Sequence, residues 1–286
     1  MTDLWLALRR NPLAVAGLAV VALLVVLGIA GPWITPHDPL AQNLARGLEG
    51  PSADHWFGTD SFGRDILSRV LYGARISLLV GVASQAIAFS LGVLLGVVSG
   101  YYGGRIEGLI MRLADVTLAF PTLLLLIAIT AAFQPGLTVV FVAIGVVGWA
   151  GMARLVRSQA LVVRELDFVQ AARALGMGDL RLLARHVLPN CLAPAIIAVT
   201  LGMASAILLE AALSFIGLGA QPPTPSWGSM ISDGRDFLRT APWISVFPGL
   251  AIGFVVLGFN LFGDGLRDAM DPRLRGAARK AMPRPE

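Results

Sequence analysis

Charged side chains are missing from five long stretches of this 286-residue chain: 11–36, 76–104, 116–153, 187–209 and 240–263. No other feature restricts the possible folds so strongly. A helix needs about 20 apolar residues, each rising about 1.5 Å, to cross a hydrocarbon core of about 30 Å. Every stretch is long enough. The whole chain is 14% charged and 56% hydrophobic, where a soluble domain carries about 25% charge. The third stretch contains the turn signal Gln134-Pro135-Gly136 and divides into two short spans joined by a hairpin. The expected fold is an all-α membrane protein with six transmembrane helices, near 13–34, 76–99, 114–133, 137–155, 191–213 and 243–263.

Arg9 and Arg10 precede the first stretch, as they would in a signal peptide. Its apolar run exceeds the ~7–15 residues of a signal core and no small-x-small cleavage site follows, so a retained anchor is expected. Orientation follows from counting Lys and Arg loop by loop. With the N-terminus inside, inner segments hold 16 of the 22, and the outer loops 35–75 and 214–242 hold six beside seven acidic residues. Both termini and the segment 164–189 are therefore expected in the cytoplasm. Basic residues gather at membrane edges without aromatic interleaving or a recognition motif, so nucleic acid is not an expected partner.

Small residues recur at helical spacing: Gly92, Gly96 and Gly100 in one span, Gly249 and Gly253 in another. Such residues let helix backbones approach closely in lipid. Packing within this chain and contact with a second membrane subunit both remain open. Asp115 lies three positions after Arg112, so the two can pair on one helix face. Glu210 ends a charge-free run, which makes it a functional candidate; the alternative is a carboxylate reaching the outer interface or a partner's hydrogen bonds. Cys191 stands alone, excluding an intramolecular disulfide, and reads as a small apolar residue near a helix start. HExxH, GxSxG and GxxxxGK[ST] are all absent, so no catalytic residue or enzyme activity is expected. Phe262-Gly263-Asp264-Gly265 is similar to the aspartate motif of intramembrane proteases, but Leu261 replaces the expected glycine and no second aspartate is evident. The three histidines, His37, His55 and His186, fall on two sides of the membrane, so they cannot together build a metal site.

The segment 164–189 is too polar for lipid. Asp167 can cap a helix over 168–175. Gly176 suits its C-terminal cap. Asp179 can cap a second short helix over 180–186, which Pro189 stops. Ala171 and Ala172 keep the first helix narrow, and Phe168, Val169, Leu175, Leu180 and Leu183 supply apolar area. An interfacial helix lying on headgroups is one reading; alanines and a central glycine favour a protein groove.

The spacing Gln170-Ala171-Ala172, three residues, Gly176, nine residues, then His186-Val187-Leu188-Pro189 resembles the cytoplasmic loop signature of ATP-binding-cassette (ABC) importer permeases. In that signature glutamate stands where this chain has Gln170 and isoleucine where it has His186. Phe57-Gly58-Thr59-Asp60, Gly63-Arg64-Asp65, Ser68-Arg69 and Gly73–Leu78 resemble the segment before the core of dipeptide, oligopeptide and nickel permeases, C-type subunits among the inner-membrane components of binding-protein-dependent transport systems. Ala211–Gly219, Pro222-Pro223-x-Pro225-Ser226-Trp227-Gly228, Asn260–Asp268 and Asp271-Pro272-Arg273 fit the same subfamily.

The resemblance implies a type I ABC importer permease bundle. It divides the chain into an N-terminal region 1–72 with the first helix and an extracytoplasmic loop, a transmembrane domain 73–266 carrying the coupling loop 164–189, and a cytoplasmic tail 267–286. It implies a multi-pass protein of the bacterial or archaeal inner membrane. Its partners would be a second homologous permease subunit, two cytoplasmic ATPase subunits and an extracytoplasmic substrate-binding protein. ATP-Mg would sit on the ATPases, and this chain would hold no cofactor or metal. Gln170, Ala171, Ala172, Gly176, Asp179, His186, Leu188 and Pro189 would couple to the ATPases. Pro223, Pro225 and Trp227 would contact the binding protein, or form a packed turn shielding the cavity. Di- and oligopeptides are the expected cargo, with nickel or another small solute as the alternative. A secondary transporter and a non-transporting membrane scaffold are the competing classes.

Overall fold

The computed structural model describes Trp5, Leu8, Arg9 and residues 11–270; Asp271-Pro272-Arg273 and most of the tail 267–286 lie outside the described residues. No strand forms among the described residues. The first helix, α1 (Pro12–Ile34), starts where Pro12 fixes φ and where the Asn11 side chain accepts from Leu13 N at 3.1 Å and Ala14 N at 3.3 Å, satisfying donors that a helix start otherwise orphans. Next comes α2 (Ile66–Tyr102), 37 residues long and so about 55 Å from end to end. Asp65 caps it, Oδ2 accepting from Ser68 N at 2.7 Å. The helix thus starts ten residues before the expected span, because polar first turns can be helical outside the apolar core.

The third expected span is broken. α3 (Gly104–Ala119) and α4 (Thr122–Ala131) meet at 89°. The residue before a proline is pushed out of the α region, and Phe120 before Pro121 has φ −90° and ψ 140°. Among the described residues, five single helices are long and apolar enough to cross a membrane, and the bent pair counts as a sixth. α5 (Leu137–Arg164) runs beyond the expected end at 155. α6 (Asp167–Ala174) and α7 (Asp179–Leu182) follow, and a π turn (Leu183–Val187) leads directly into α8 (Leu188–Phe215). Pro189 therefore does not stop a helix. It occupies the first turn of α8, where its missing N–H is least costly. α9 (Trp227–Gly234) is short, and α10 (Trp243–Met270) ends the described chain.

α2 and α5 lie backbone against backbone. A Cβ at Gly92 would stand 2.5 Å from Met152 Cβ, one at Gly96 2.7 Å from the Ala153 carbonyl, and one at Gly100 2.7 Å from Ala160 Cβ. The first glycine series thus serves packing inside this chain. Gly249 and Gly253 on α10 differ, with nothing within 4 Å of their would-be Cβ positions. α1 crosses α10, where Gly17 meets the Gly258 carbonyl.

Residues 35–65 fold over the N-terminal end of α2. The Phe57 ring stacks on Phe247 with centroids 3.9 Å apart, and Trp243 Nε1 donates to the Thr59 carbonyl at 3.2 Å. Beneath them, buried Arg64 donates to Asp60 at 2.6 Å, and buried Arg69 lies 3.7 Å from the same carboxylate. Removing either partner would leave a buried charge without compensation.

Candidate functional site

The segment 164–189 sits at the C-terminal end of α2. Three contacts hold it there: Tyr101 donates to Asp179 Oδ1 at 2.7 Å, Arg164 Nη1 donates to the Gly100 carbonyl at 2.9 Å, and the Arg173 guanidinium lies 5.5 Å from the Tyr101 ring centre. On the inner side, Val169, Ala172, Leu182, Leu183 and Val187 are buried against α2 and α5.

α6 ends in a Schellman turn. Gly176, at φ +81°, donates to the Arg173 carbonyl at 2.9 Å, and Met177 donates to the Ala172 carbonyl at 3.1 Å. Positive φ is the conformation glycine adopts at least cost. The caps at the helix starts differ from expectation. Asp167 is the first residue of α6 and makes no side-chain cap bond, and Asp179 is the first residue of α7 behind Gly178. Asp179 gives its carboxylate to Tyr101 instead, because the α2 terminus comes within reach of it.

On the outer side of the segment, Leu175 is 89% exposed and Leu180 81% exposed, with Phe168 half-exposed beside them. Ala171 and Gly176 are exposed as well. These apolar side chains are thus left open on a segment braced against the end of α2. Gln170 faces inward: its Nε2 donates to the Arg164 carbonyl at 2.8 Å and lies 3.5 Å from Glu165 Oε2. His186 is half-buried, its ring centre 6.0 Å from that of Phe168. Leu188 is half-buried and Pro189 exposed. Of the residues singled out in 164–189, Ala171, Gly176, Asp179 and Pro189 are exposed, His186 and Leu188 are half-buried, Ala172 is buried, and Gln170 and Asp179 brace the segment through their hydrogen bonds.

A cavity of about 320 Å³ opens between α2, the α3–α4 bend, α5 and α8. Gln85, Thr117, Thr122, Gly148 and Ser205 are among its lining residues, and Gln85 Nε2 donates to the Gly202 carbonyl at 3.2 Å. Sequence periodicity did not find these residues. The available signal was weak: isolated Gln and Thr side chains in otherwise apolar helices, and Pro121, which bends the chain around the cavity.

The acidic candidates take other places than expected. Asp115 pairs with Arg154 of α5 rather than with Arg112, and Glu107 pairs with Arg157 of the same helix. A neighbouring helix thus claims the carboxylate that local spacing assigned to its own turn. Glu210 lies inside the fold. It is fully buried and accepts from Ser214 Oγ at 2.6 Å.

In the outer loop, Trp227 is 2% exposed, and its Nε1 donates to the Val70 carbonyl of α2 at 2.9 Å. It anchors the loop inside its own chain. Pro225 is buried, whereas Pro223 is exposed. Nearby, burial pushes the Asp233 carboxyl above its usual range, against the opposite pull of Arg64 and Arg69. Cys191 is buried at the start of α8. His37 and His55 meet at the opposite end of α2 from His186.

Two family models match the chain. Residues 92–276 match the inner membrane component of binding-protein-dependent transport systems, and residues 1–51 match the N-terminal membrane domain of oligopeptide transport permease C. The dipeptide transport system permease protein DppC of Alkalihalophilus pseudofirmus is 49% identical over 94% of this chain and 88% of its own length. The di/tripeptide transport system permease protein DppC of Pseudomonas aeruginosa is 45% identical over 97% of this chain and 94% of its own length. Among solved structures, a chain of the MetNI methionine ABC transporter in an inward-facing conformation aligns with a TM-score of 0.59 at 16% identity. That alignment covers 72% of this chain and 98% of the other. At that identity the likeness speaks to the fold, a type I ABC importer permease bundle.

Proposed function

The chain belongs to the family of binding-protein-dependent transport system inner membrane components, and on that premise we propose that it forms one half of the translocation path of an ATP-driven importer for di- and oligopeptides. It is a multi-pass membrane permease and works within a multi-subunit ABC transporter. The peptide cargo follows from the relatives at 45–49% identity over nearly the whole chain. No observation favours the nickel alternative.

In this reading a second, homologous permease subunit completes the path, an extracytoplasmic binding protein delivers the peptide, and two cytoplasmic ATPases carry ATP-Mg. This chain contributes no hydrolytic residue. Both termini and the segment 164–189 face the cytoplasm. Residues 1–72 form the first helix and an outer cover, 73–266 the transmembrane domain, and 267–286 a cytoplasmic tail.

The observation that most supports the coupling role is the open patch of Phe168, Leu175 and Leu180 on a loop tied to the end of α2. Seated in an ATPase groove, that patch would move with the ATPases as they close on ATP. Tyr101 would pass the movement to α2, and α2 lines the cavity through Gln85. Alternating access then follows from differential binding of ATP to two states of one assembly. Ala171 and Gly176 let the groove approach closely, Ala172, Leu188 and Pro189 shape the turn, and Gln170, Asp179 and His186 hold the frame behind it.

Reconstitution tests the reading. The chain is placed in liposomes with its permease partner, ATPases and binding protein, and labelled dipeptide uptake is followed. Uptake that requires ATP and binding protein is expected. Peptide movement by this chain without the ATPases, or import of nickel with no peptide uptake, would overturn it.

A further inference from the structure

Two imidazoles converge on a single carboxylate oxygen at the N-terminal end of α2. His55 Nδ1 lies 2.9 Å and His37 Nδ1 3.8 Å from Asp65 Oδ1, and the two rings are 4.7 Å apart at their centres. One donor atom from each of the three residues lies within 4.8 Å of the others. We propose that His37, His55 and Asp65 bind a divalent first-row transition ion of the zinc type, which fastens the 35–65 cover to the start of α2.

The spacing fits the chemistry. Zinc holds nitrogen and oxygen ligands at about 2.0–2.2 Å in a tetrahedron, so neighbouring ligand atoms stand about 3.4 Å apart. The two distances to Asp65 lie on either side of that value. His37 has to turn to close the set, and its side chain is free to do so, being 42% exposed. Two imidazoles with one carboxylate suit Zn²⁺, Co²⁺, Ni²⁺ or Cu²⁺, whereas Mg²⁺ and Ca²⁺ prefer oxygen throughout.

Neighbouring hydrogen bonds fix one oxygen of Asp65 and the backbone of each histidine. Asp65 Oδ2 accepts from Ser68 N at 2.7 Å, which leaves Oδ1 to face the histidines. The His37 backbone N–H donates to Ser68 Oγ at 3.1 Å, and His55 N donates to Ser52 Oγ at 3.1 Å. The buried arginines pair with Asp60 rather than with Asp65. An extended hydrogen bond from His55 alone would account for one imidazole, but it gives the second no partner. A water molecule would supply the fourth ligand of a tetrahedral ion held by three side chains.

The site lies apart from the translocation cavity. Gln85 is twenty residues further along α2, about 30 Å away. The two hydroxyls beside the ligands, Ser52 and Ser68, accept from the histidine backbones, and the role assigned is structural: one ion joins the chain after α1, the middle of the cover and the α2 cap. An ion bound by the folded state alone raises its stability by mass action.

The test uses the full chain purified in detergent without a polyhistidine tag and stripped of metal. Zn²⁺ titration by calorimetry gives the stoichiometry, Co²⁺ absorption gives the coordination, and a thermal scan gives the stabilisation. The expected result is one Zn²⁺ per chain, a tetrahedral Co²⁺ spectrum and a higher midpoint with metal. H37A and D65N should each weaken binding at least about tenfold, since even outer-shell changes cost about 10–100-fold. Asp65→Asn keeps an oxygen for the α2 cap, and H37A alters a half-exposed side chain, so both variants can fold. H186A should bind as the parent does. A parent chain that takes up no Zn²⁺ at micromolar concentration, or binding that survives H37A or is lost in H186A, would overturn the site.

Discussion

Tyr101 and Asp179, 78 positions apart, are joined by a 2.7 Å hydrogen bond at the end of α2. It ties the exposed segment to the helix that lines the cavity. Tyr101→Phe keeps the ring and its packing and removes the hydroxyl, at about 0.5–1.5 kcal/mol for one hydrogen bond. Asp179 is exposed and regains water, so the lower part of that range applies. Peptide uptake per ATP hydrolysed should fall several-fold in reconstituted complexes, while the amount of assembled complex stays unchanged. Equal coupling in the variant and parent would remove Tyr101 from the transmission path.

Leu175 tests the docking surface itself. At 89% exposure it stabilises the isolated chain very little, so Leu175→Glu should leave the thermal midpoint of the purified permease within about 1 °C, as surface changes usually do. A carboxylate forced into an apolar groove loses hydration without gaining a partner. The variant should therefore retain less than about a tenth of the ATPase in co-purification, a loss of about 1.4 kcal/mol or more. Retention at the parental level would place the docking surface elsewhere.

Gly176→Asp separates fold from coupling at the turn. Nothing lies within 4 Å of the position a Cβ would take there, so no clash follows within the chain, although φ is +81°. Aspartate tolerates that region better than most residues, and the left-handed conformation costs about 1–2 kcal/mol. The fold should survive while a negative charge enters the docking surface. ATP hydrolysis is expected to continue with peptide uptake reduced about tenfold or more. Normal uptake by an assembled complex would dismiss the role of Gly176.

Much of this organisation was legible in the sequence because it rests on local chemistry. Charge-free runs located the spans, Asn11 and Pro12 start α1 as caps do, and Gly176 ends α6 with the positive φ expected of it. Misassigned features depend on neighbours distant in sequence. Asp115 and Arg112 satisfy the spacing rule, yet Arg154 on α5 takes the carboxylate. Asp179 satisfies the cap rule, yet Tyr101 claims it. Pro189 satisfies the stop rule, but a π turn carries the chain through it into α8. The cavity was illegible for the same reason, since five helices contribute to it between 85 and 209 and none has a distinctive period. His37, His55 and Asp65 belong to that group, being brought together only when the 35–65 cover folds.

Gln170 carries the one side chain of the Ala-Ala motif that departs from the resembled signature. Its Nε2 donates to the Arg164 carbonyl and lies near Glu165. A glutamate there has no donor for that carbonyl and meets a like charge. Gln170→Glu should cost about 1 kcal/mol, lowering the thermal midpoint by about 2–4 °C, while uptake per ATP remains at the parental value. A gain in coupling would show that charge, rather than shape, governs this position.

Trp227 distinguishes an anchor from a contact residue for the binding protein. Trp227→Ala empties a site that is 2% exposed and should cost about 3–5 kcal/mol, enough to lower the yield of folded permease. Trp227→Phe is the sharper variant. The ring volume largely remains, and only the hydrogen bond to the Val70 carbonyl is lost. That carbonyl lies inside α2 and keeps its helical partner, so the cost should stay near about 1 kcal/mol. The Phe variant should bind the substrate-loaded binding protein with parental affinity, because the indole does not reach the outer surface. A tenfold weaker complex from a stably folded Phe variant would return Trp227 to the contact surface and require the α9 loop to rearrange when the binding protein docks.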